Sequence, residues 1–382
     1  MLLPELLRIG LVQHAATLSI TLASPGALVD GVGAPRALPA DRPLALAWTG
    51  DQVELVLPLP QGGTERLRAS LPLTISGQES FQWRGSWYRG QAEVRADGRG
   101  MTLVDTLAPE TYLRGVVPRE VPSSWPMEAL KVQAIAARTY LAATVGRFAD
   151  QGFDLHADER SQVYGGKSAE HVRTDEAVRS TKGLVATWQG TPIKAYYSSG
   201  AGGMTEANDA VEGFAEPGPD GRPQALPYLR PVVDFDWESR RHAWSREVTA
   251  SRLEEVLTGE RPAVGHPLGI EITERSASGR ARWIRIRGTA GTLELPGTRL
   301  RRLLRLDSTL FAAAPVRPGV FLFTGRGWGH GVGMSQSGSR QMAEWGFDHA
   351  EILAHYYPGT RLERADAPTP GGNLVPGRSS DH

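Results

Sequence analysis

Glu120 has the most distinctive local sequence of the acidic residues, because Pro118 and Pro122 flank it. Proline restricts its own backbone and that of the residue before it, so we expect Val117 and Val121 to be extended. A carboxylate carried by a rigid turn of this kind could form part of the wall of an anion- or sugar-binding cleft.

A helix is predicted directly after this turn, over residues 127–144, where alanine and other strong helix formers dominate. Ser123 or Ser124 could cap it. Lys131 and Arg138 are seven residues apart and therefore share one helix face. Two interpretations stay open: the cations line the same cleft as the carboxylate, or they form a solvated face while the carboxylate caps the helix.

A second segment with chemical potential is YYSSGAGGMTE, residues 196–206. Its paired glycines would let the backbone approach a ligand closely, and its hydroxyl groups could bind sugar oxygens. The alternative is a tight turn with solvated serines. The residues of interest are Tyr197, Ser198, Ser199 and Gly203.

The third segment is GRGWGHGVGMSQSGSRQMAEWG, residues 325–346, in which glycine alternates with other residues as far as Gly333. In an extended chain this spacing places His330 on one face and leaves the other face bare, open to another backbone or a sugar. A helix is predicted over residues 337–345. The spacing fits neither a dinucleotide-binding loop nor a nucleophile elbow, which makes a Ser/His esterase a distant alternative.

Together these segments resemble the stage II sporulation protein D (SpoIID/LytB) family. The resemblance rests on YLRGVVPREVP with KVQAIAARTY, on the 196–206 segment, and on GHGVGMSQ followed by EILAHYYPGT. It covers residues 6–362. One departure is Ser198, which stands where many members have histidine.

The resemblance implies a lytic transglycosylase that cleaves the bond between N-acetylmuramic acid and N-acetylglucosamine in peptidoglycan strands. Glu120 would be the catalytic acid and then the base, and the product would end in a 1,6-anhydro ring. Lys131 and Arg138 would bind the lactyl carboxylate of strands that have lost their stem peptides. The remaining substrate-binding candidates are Tyr197, Ser198, Ser199, Gly203, His330, Ser335 and Gln336.

Two other functions stay open on these residues. A hydrolase would need a second carboxylate, for which Glu206 and Asp209 are candidates. A non-catalytic protein that binds the cell wall or modifies a wall amidase would need no catalytic acid. Its possible partners would be a wall amidase or another envelope protein.

The amino-acid composition further narrows the classes of protein to which this chain could belong. The 382 residues carry 42 basic and 42 acidic side chains, a balance that argues against a nucleic-acid binder. Cysteine is absent and His156 is a lone imidazole in its region, so we predict no metal and no cofactor. No apolar run is long enough for a transmembrane helix.

The expected location is the cell envelope, outside the cytoplasm, although no signal peptide is recognisable. Pro4, Glu5 and Arg8 interrupt the first apolar run. Three explanations of secretion stay open: the sequence is that of the mature protein, it lacks the true start, or the protein leaves the cell by another route.

The predicted fold class is α+β. Alternating apolar residues predict a β-rich N-terminal module over residues 1–106. The catalytic core would comprise 107–229 and 312–362, interrupted by an inserted α+β subdomain over 230–311. The last stretch, 363–382, is rich in Pro, Gly and charge and should be disordered.

Overall fold

The computed structural model describes residues 3–30, 35–50, 52–218 and 220–365. Its N-terminal region consists of strands that form two sheets. These strands are β1 (Leu7–Ala15), β2 (Thr17–Leu22), β3 (Gly26–Asp30), β4 (Arg36–Leu38), β5 (Pro43–Trp48), β6 (Val53–Pro58), β7 (Thr64–Ala69), β8 (Leu73–Gly77), β9 (Phe81–Trp83), β10 (Ser86–Tyr88), β11 (Gln91–Ala96) and β12 (Met101–Leu107).

Alternation of apolar and polar residues decides which face of each strand is buried. In β2, Leu18 and Ile20 are buried while Thr17 and Ser19 face solvent, as the sequence predicts. One sheet has the order β10-β9-β2-β5-β6-β7. The other has the order β1-β12-β11-β8-β3-β4, and its β1 edge is extended in parallel by a short strand, β13 (Leu155–His156). The fold is therefore α+β with a β-rich N-terminal region.

Three helices connect this region to the rest of the molecule: α1 (Pro109–Glu120), α2 (Met127–Thr144) and α3 (Val172–Ser180). The buried faces of α1 and α2 join the same hydrophobic cluster as the sheets, so the predicted boundary at residue 106 separates strands from helices but does not separate two cores. The bounds of α2 agree with the prediction, whereas its N-cap is Pro126 and neither predicted serine caps it.

Val117 corrects one expectation, because it is helical and Pro118 lies inside α1. Because proline has no N–H, α1 lacks one backbone hydrogen bond at this position, and the helix ends two residues later at Glu120. Val121 is extended, as predicted.

The chain after α3 forms short strands around a second hydrophobic cluster. They are β14 (Leu184–Trp188), β15 (Thr191–Pro192), β16 (Tyr197–Ser198), β17 (Glu216–Pro217) and β18 (Pro223–Gln224). Val132, Ile135 and Ala136 of α2 pack into this cluster as well. The central helix is therefore shared by both halves of the core.

An inserted unit with its own hydrophobic cluster follows. It consists of β19 (Ala243–Thr249), α4 (Ala250–Leu257), β20 (Pro267–Arg275), β21 (Ala281–Gly288), β22 (Thr292–Pro296), α5 (Gly297–Leu304), β23 (Phe311–Arg317) and β24 (Val320–Arg326). Because β19 pairs with β24, and β24 with β23, this unit spans 243–326 instead of the predicted 230–311.

The chain returns to the core through β25 (Met334–Ser335), α6 (Gln336–Glu344), α7 (His349–Tyr356) and β26 (Arg361–Arg364). Pairing of β26 with β14 orders residues 363 and 364, which the sequence assigned to a disordered tail. The rest of that predicted tail, 366–382, lies outside the described residues. In the described part of the chain, no helix is both long and apolar enough to cross a membrane.

Candidate active site

Glu120 is the last residue of α1, and its side chain borders two cavities. The larger cavity has a volume of about 830 Å³ and the smaller one about 350 Å³. Within the described ranges, Glu120 is the one residue that lines both. A carboxyl group at such a junction can reach the bond between two units of a bound polymer.

The Glu120 carboxyl group accepts hydrogen bonds from both sides. The backbone N–H of Val163 donates at 3.2 Å to one oxygen, and Nε2 of Gln336 donates at 3.5 Å to the other. Burial raises the pKa of Glu120, these two donors and the Tyr197 hydroxyl oppose that rise, and the charge of Glu159 adds to it. The net raised pKa favours the protonated carboxyl group, the form required of a general acid.

A glycine in α1 lets the loop that carries Val163 pack directly against the helix. A Cβ atom on Gly115 would lie 2.5 Å from Cε2 of Tyr164, so a side chain there would displace the loop. Gly165 N–H donates to the Gly115 carbonyl at 3.0 Å, and the Tyr164 hydroxyl donates to Asp105 at 2.8 Å. These contacts hold the Val163 amide against the carboxyl group, a role that sequence analysis missed.

Two buried glutamines hold the groups that surround Glu120. Gln162 donates through Nε2 to a backbone carbonyl of α2 at 3.2 Å and to the Tyr197 hydroxyl at 3.3 Å. Gln133 accepts through Oε1 from Nε2 of Gln336 at 3.3 Å. Sequence analysis missed both. The polar side chain of Gln133 among the alanines of α2 could have indicated a functional residue in the sequence, whereas nothing in the sequence around Gln162 did so.

His330 is a positioning residue held in its neutral form. Its Nε2–H donates to the Tyr197 carbonyl at 2.9 Å, and its Nδ1 accepts from the Val332 N–H at 3.0 Å. The second bond requires an unprotonated Nδ1, which fixes the tautomer. Burial, helped by the charge of Arg301, lowers the pKa of His330 to about 3. The ring lines the smaller cavity, but both of its nitrogens already bond to the protein.

The glycine run before α6 is not the extended strand predicted from its spacing. Gly327, Gly329, Gly331 and Gly333 all have positive φ, from +72° to +111°, a region that favours glycine. A Cβ atom on Gly329 would lie 2.7 Å from the Cβ of Ser198. The bare surface therefore packs against the protein's own 196–202 segment.

Ser198 and Ser335 are buried and hold backbone in place. The Ser198 hydroxyl accepts from the Gly331 N–H at 3.3 Å, and Ser335 caps α6 by accepting from the Gly338 N–H at 3.1 Å. Neither residue lines the two cavities beside the carboxyl group. These hydrogen bonds give both residues a structural role, and their contact with substrate stays a prediction.

Gly203 also lies away from these two cavities, and its carbonyl accepts from the Asp234 N–H at 3.0 Å. Ser199 differs from it because its side chain lines the larger cavity, near Arg241. Of the hydroxyl and glycine residues proposed from the 196–206 segment, Tyr197 and Ser199 reach the cleft.

Arg138 and Lys131 do not line either cavity. The Arg138 side chain is fully buried, with Nε and Nη2 each 2.8 Å from the Glu110 carboxylate. It also donates to the carbonyls of Val178 at 3.1 Å and Leu184 at 3.2 Å. Lys131 pairs at 2.6 Å with the glutamate three residues before it. Arg138 thus joins α2 to α1 and α3, Lys131 pairs within α2, and neither cation lines the two cavities beside Glu120.

Other arginines supply positive charge to the larger cavity: Arg119, Arg240, Arg241 and Arg340. The guanidinium of Arg340 lies 5.9 Å from the ring centre of Trp125, which lines the same cavity. These arginines come from segments far apart in the chain, so no local sequence pattern could reveal the cluster.

The two predicted second carboxylates are not beside Glu120. Glu206 is buried and accepts hydrogen bonds from Ser276 and Ser278, which tie it to the inserted unit. Neither Glu206 nor Asp209 lines the two cavities. The carboxylate that shares the smaller cavity with Glu120 is the exposed Glu159.

His156 packs between aromatic rings, with centroid distances of 4.4 Å to Phe148 and 4.8 Å to Phe153. Across the residues for which coordinates are described, no three His, Asp or Glu side chains are grouped so that they could hold a metal ion.

Two family models match the chain. One, described as stage II sporulation protein, matches residues 97–188 and so contains Glu120, α1 and α2. The other, a domain of unknown function (DUF8618), matches 223–333. Stage II sporulation protein D of Bacillus subtilis is 31% identical over 294 residues, which cover 69% of this chain and 77% of that protein. The chain belongs to the stage II sporulation protein D family.

Other relatives extend beyond proteins with that name. An uncharacterized protein of Brachyspira hyodysenteriae is 33% identical over 291 residues, 76% of each chain. The amidase enhancer of Bacillus subtilis is 29% identical over 302 residues, 65% of this chain and 40% of that protein.

Proposed function

We propose that this member of the family is a peptidoglycan lytic transglycosylase. The observation that carries the proposal is Glu120, a carboxyl group with a raised pKa at the junction of two cavities. A glycan strand that ran through both cavities would present a glycosidic bond to this group. The relatives named for sporulation and for amidase enhancement support a role at the cell wall.

In the proposed reaction, protonated Glu120 donates its proton to the oxygen that links N-acetylmuramic acid to the next sugar. As that C1–O bond breaks, the 6-hydroxyl oxygen of the muramic acid bonds to C1 and gives its proton to the Glu120 carboxylate. The acid is regenerated, no water is consumed, and a 1,6-anhydro end results. Gln336 and the Val163 N–H would stabilise the carboxylate between the two proton transfers.

Recognition of the strand is assigned to groups that line the cavities. Tyr197 and Ser199 remain as proposed contacts, together with Gln336. The lactyl carboxylate of a peptide-free strand would bind Arg240 or Arg241, because Arg138 and Lys131 are engaged elsewhere.

The test is mass spectrometry of peptide-free glycan strands after incubation with the wild-type chain, with Glu120→Gln and with the control Glu159→Gln. We expect anhydro-ended fragments from the wild type and from Glu159→Gln, and none from Glu120→Gln. Reducing-end fragments that disappear with Glu159→Gln would instead indicate a hydrolase with Glu159 as its second carboxylate. Equal cleavage by wild type and Glu120→Gln would refute the assignment of the acid.

A second candidate function is the stimulation of a wall amidase, because the amidase enhancer is among the relatives. Release of stem peptides by a purified amidase, measured with and without this chain, would test it. Stimulation that persists with Glu120→Gln would favour an amidase partner independent of strand cleavage. Both functions require an extracytoplasmic location, which cell fractionation would check.

A further inference from the structure

Three aromatic side chains form a continuous cluster at the surface, here called the aromatic rim: Phe235, Trp237 and Trp345. The ring centroids of Trp237 and Trp345 lie 5.5 Å and 5.3 Å from that of Phe235, and 5.7 Å from each other. Trp237 is 50% exposed and Trp345 is 47% exposed. Two neighbouring indole side chains with this exposure form an exposed apolar patch, a feature that is associated with interaction sites.

The aromatic rim is continuous with the larger cavity beside Glu120. Phe235 lines that cavity, and so do Glu238, which follows Trp237 in sequence, and Gln341, which lies four residues before Trp345. The exposed indoles therefore begin where the cavity ends. Any polymer that fills the cavity and leaves it on this side has to pass over them.

We propose that the aromatic rim binds sugar rings of the glycan strand beyond those held in the cavity. This inference rests on the proposed function, because it takes the strand to be the polymer in the cavity. The indoles of Trp237 and Trp345 offer large, rigid apolar faces for the C–H faces of sugars. Glu238 and Gln341 supply polar groups for the ring hydroxyls at the edge of the same surface.

A glycan fits this surface better than a protein partner does. The rim is narrow, consisting of three rings bordered by charged and polar side chains, whereas stable protein interfaces bury about 800 Å² on each partner. Aromatic faces beside hydrogen-bonding groups match the alternating apolar faces and hydroxyl edges of a sugar chain.

The test compares strand binding in a cleavage-deficient background, Glu120→Gln, with and without Trp237→Ala plus Trp345→Ala. Fluorescently labelled peptide-free strands of about ten sugars and of two sugars serve as long and short probes. We expect the double replacement to weaken binding of the long probe at least about tenfold and to leave the short probe unchanged. The control is Trp283→Ala, because Trp283 is 41% exposed on β21 of the inserted unit.

Unchanged binding of the long probe, or equal weakening of both probes, would overturn the inference. Thermal unfolding of each variant checks folding, and Trp237→Ser alone serves if the double variant is unstable. The outcome is separable from that of the proposed function. If the wild type cleaves strands and the rim replacements have no effect on binding, only the proposal for the aromatic rim is rejected. If the wild type does not cleave strands but the rim replacements weaken binding of the long probe alone, only the transglycosylase proposal is rejected.

Discussion

Replacement of the buried arginine of α2, Arg138→Ala, should destabilise the protein without changing its affinity for glycan strands. The substitution removes two 2.8 Å bonds to Glu110 and leaves the carbonyls of Val178 and Leu184 without these donors. Breaking a buried pair costs about 3–5 kcal/mol. Because Glu110 is 28% exposed, water offsets part of that loss, and we expect about 3 kcal/mol of unfolding free energy to be lost.

The assay is urea unfolding followed by circular dichroism, with strand binding measured on the folded fraction. Lys131→Ala is the matched control, since Lys131 forms a partly exposed pair on the same helix and its loss should cost about 0–1 kcal/mol. If Arg138→Ala kept wild-type stability but bound strands weakly, the structural role assigned here would be refuted. The role predicted from the sequence would then be restored.

Three further predictions follow from individual contacts. Gln336→Ala removes a donor that lowers the pKa of Glu120, so the alkaline decline of cleavage should move to higher pH in a pH–rate profile. The pKa of His330 is lowered to about 3 from the ordinary 6.5. Below pH 6.5 the unfolded chain therefore binds a proton that the folded chain does not, and the free energy of unfolding falls as the pH decreases. His330→Gln should make this loss smaller in urea titrations between pH 6.5 and 3. Gly331→Ala should destabilise more than Gly319→Ala, by about 1–3 kcal/mol in the same assay, because both have positive φ but only Gly331 lies against a buried guanidinium.

Local patterns in the sequence predicted several elements well. The bounds of α2 follow from its run of helix formers, and Val121 is extended, as the proline after it predicts. The alternation of apolar residues in β2 likewise predicts which face of that strand is buried. In each case, information within a few residues determines the conformation.

The site was harder to predict, because its partners are distant in the chain. Glu120 stands out by its prolines, but its donors come from Val163, 43 residues away, and from Gln336, 216 residues away. Helical spacing predicts that Arg138 and Lys131 share one face of α2. It does not predict which other element of the fold packs against that face. Alternating glycines suggested a strand, although four of them, from Gly327 to Gly333, adopt positive φ. Three of these pack against residues 196–202, more than a hundred residues earlier, and Gly331 packs against Arg280.

The C-terminal boundary of the inserted unit was also hard to predict from local sequence. Phe323 lies in the segment predicted as catalytic core, 312–362, yet β24 pairs with β19 and β23, and Phe323 belongs to the separate cluster of the inserted unit. Pairing between strands about seventy residues apart carries no local signal.

The central claim is that Glu120 transfers a proton within the substrate and that water takes no part. It is tested most directly by cleaving peptide-free strands in ¹⁸O-labelled water and measuring the mass of the new ends. The account predicts 1,6-anhydro ends with no ¹⁸O, and their disappearance with Glu120→Gln. Reducing ends that carry one ¹⁸O would contradict it, since water would then be the nucleophile.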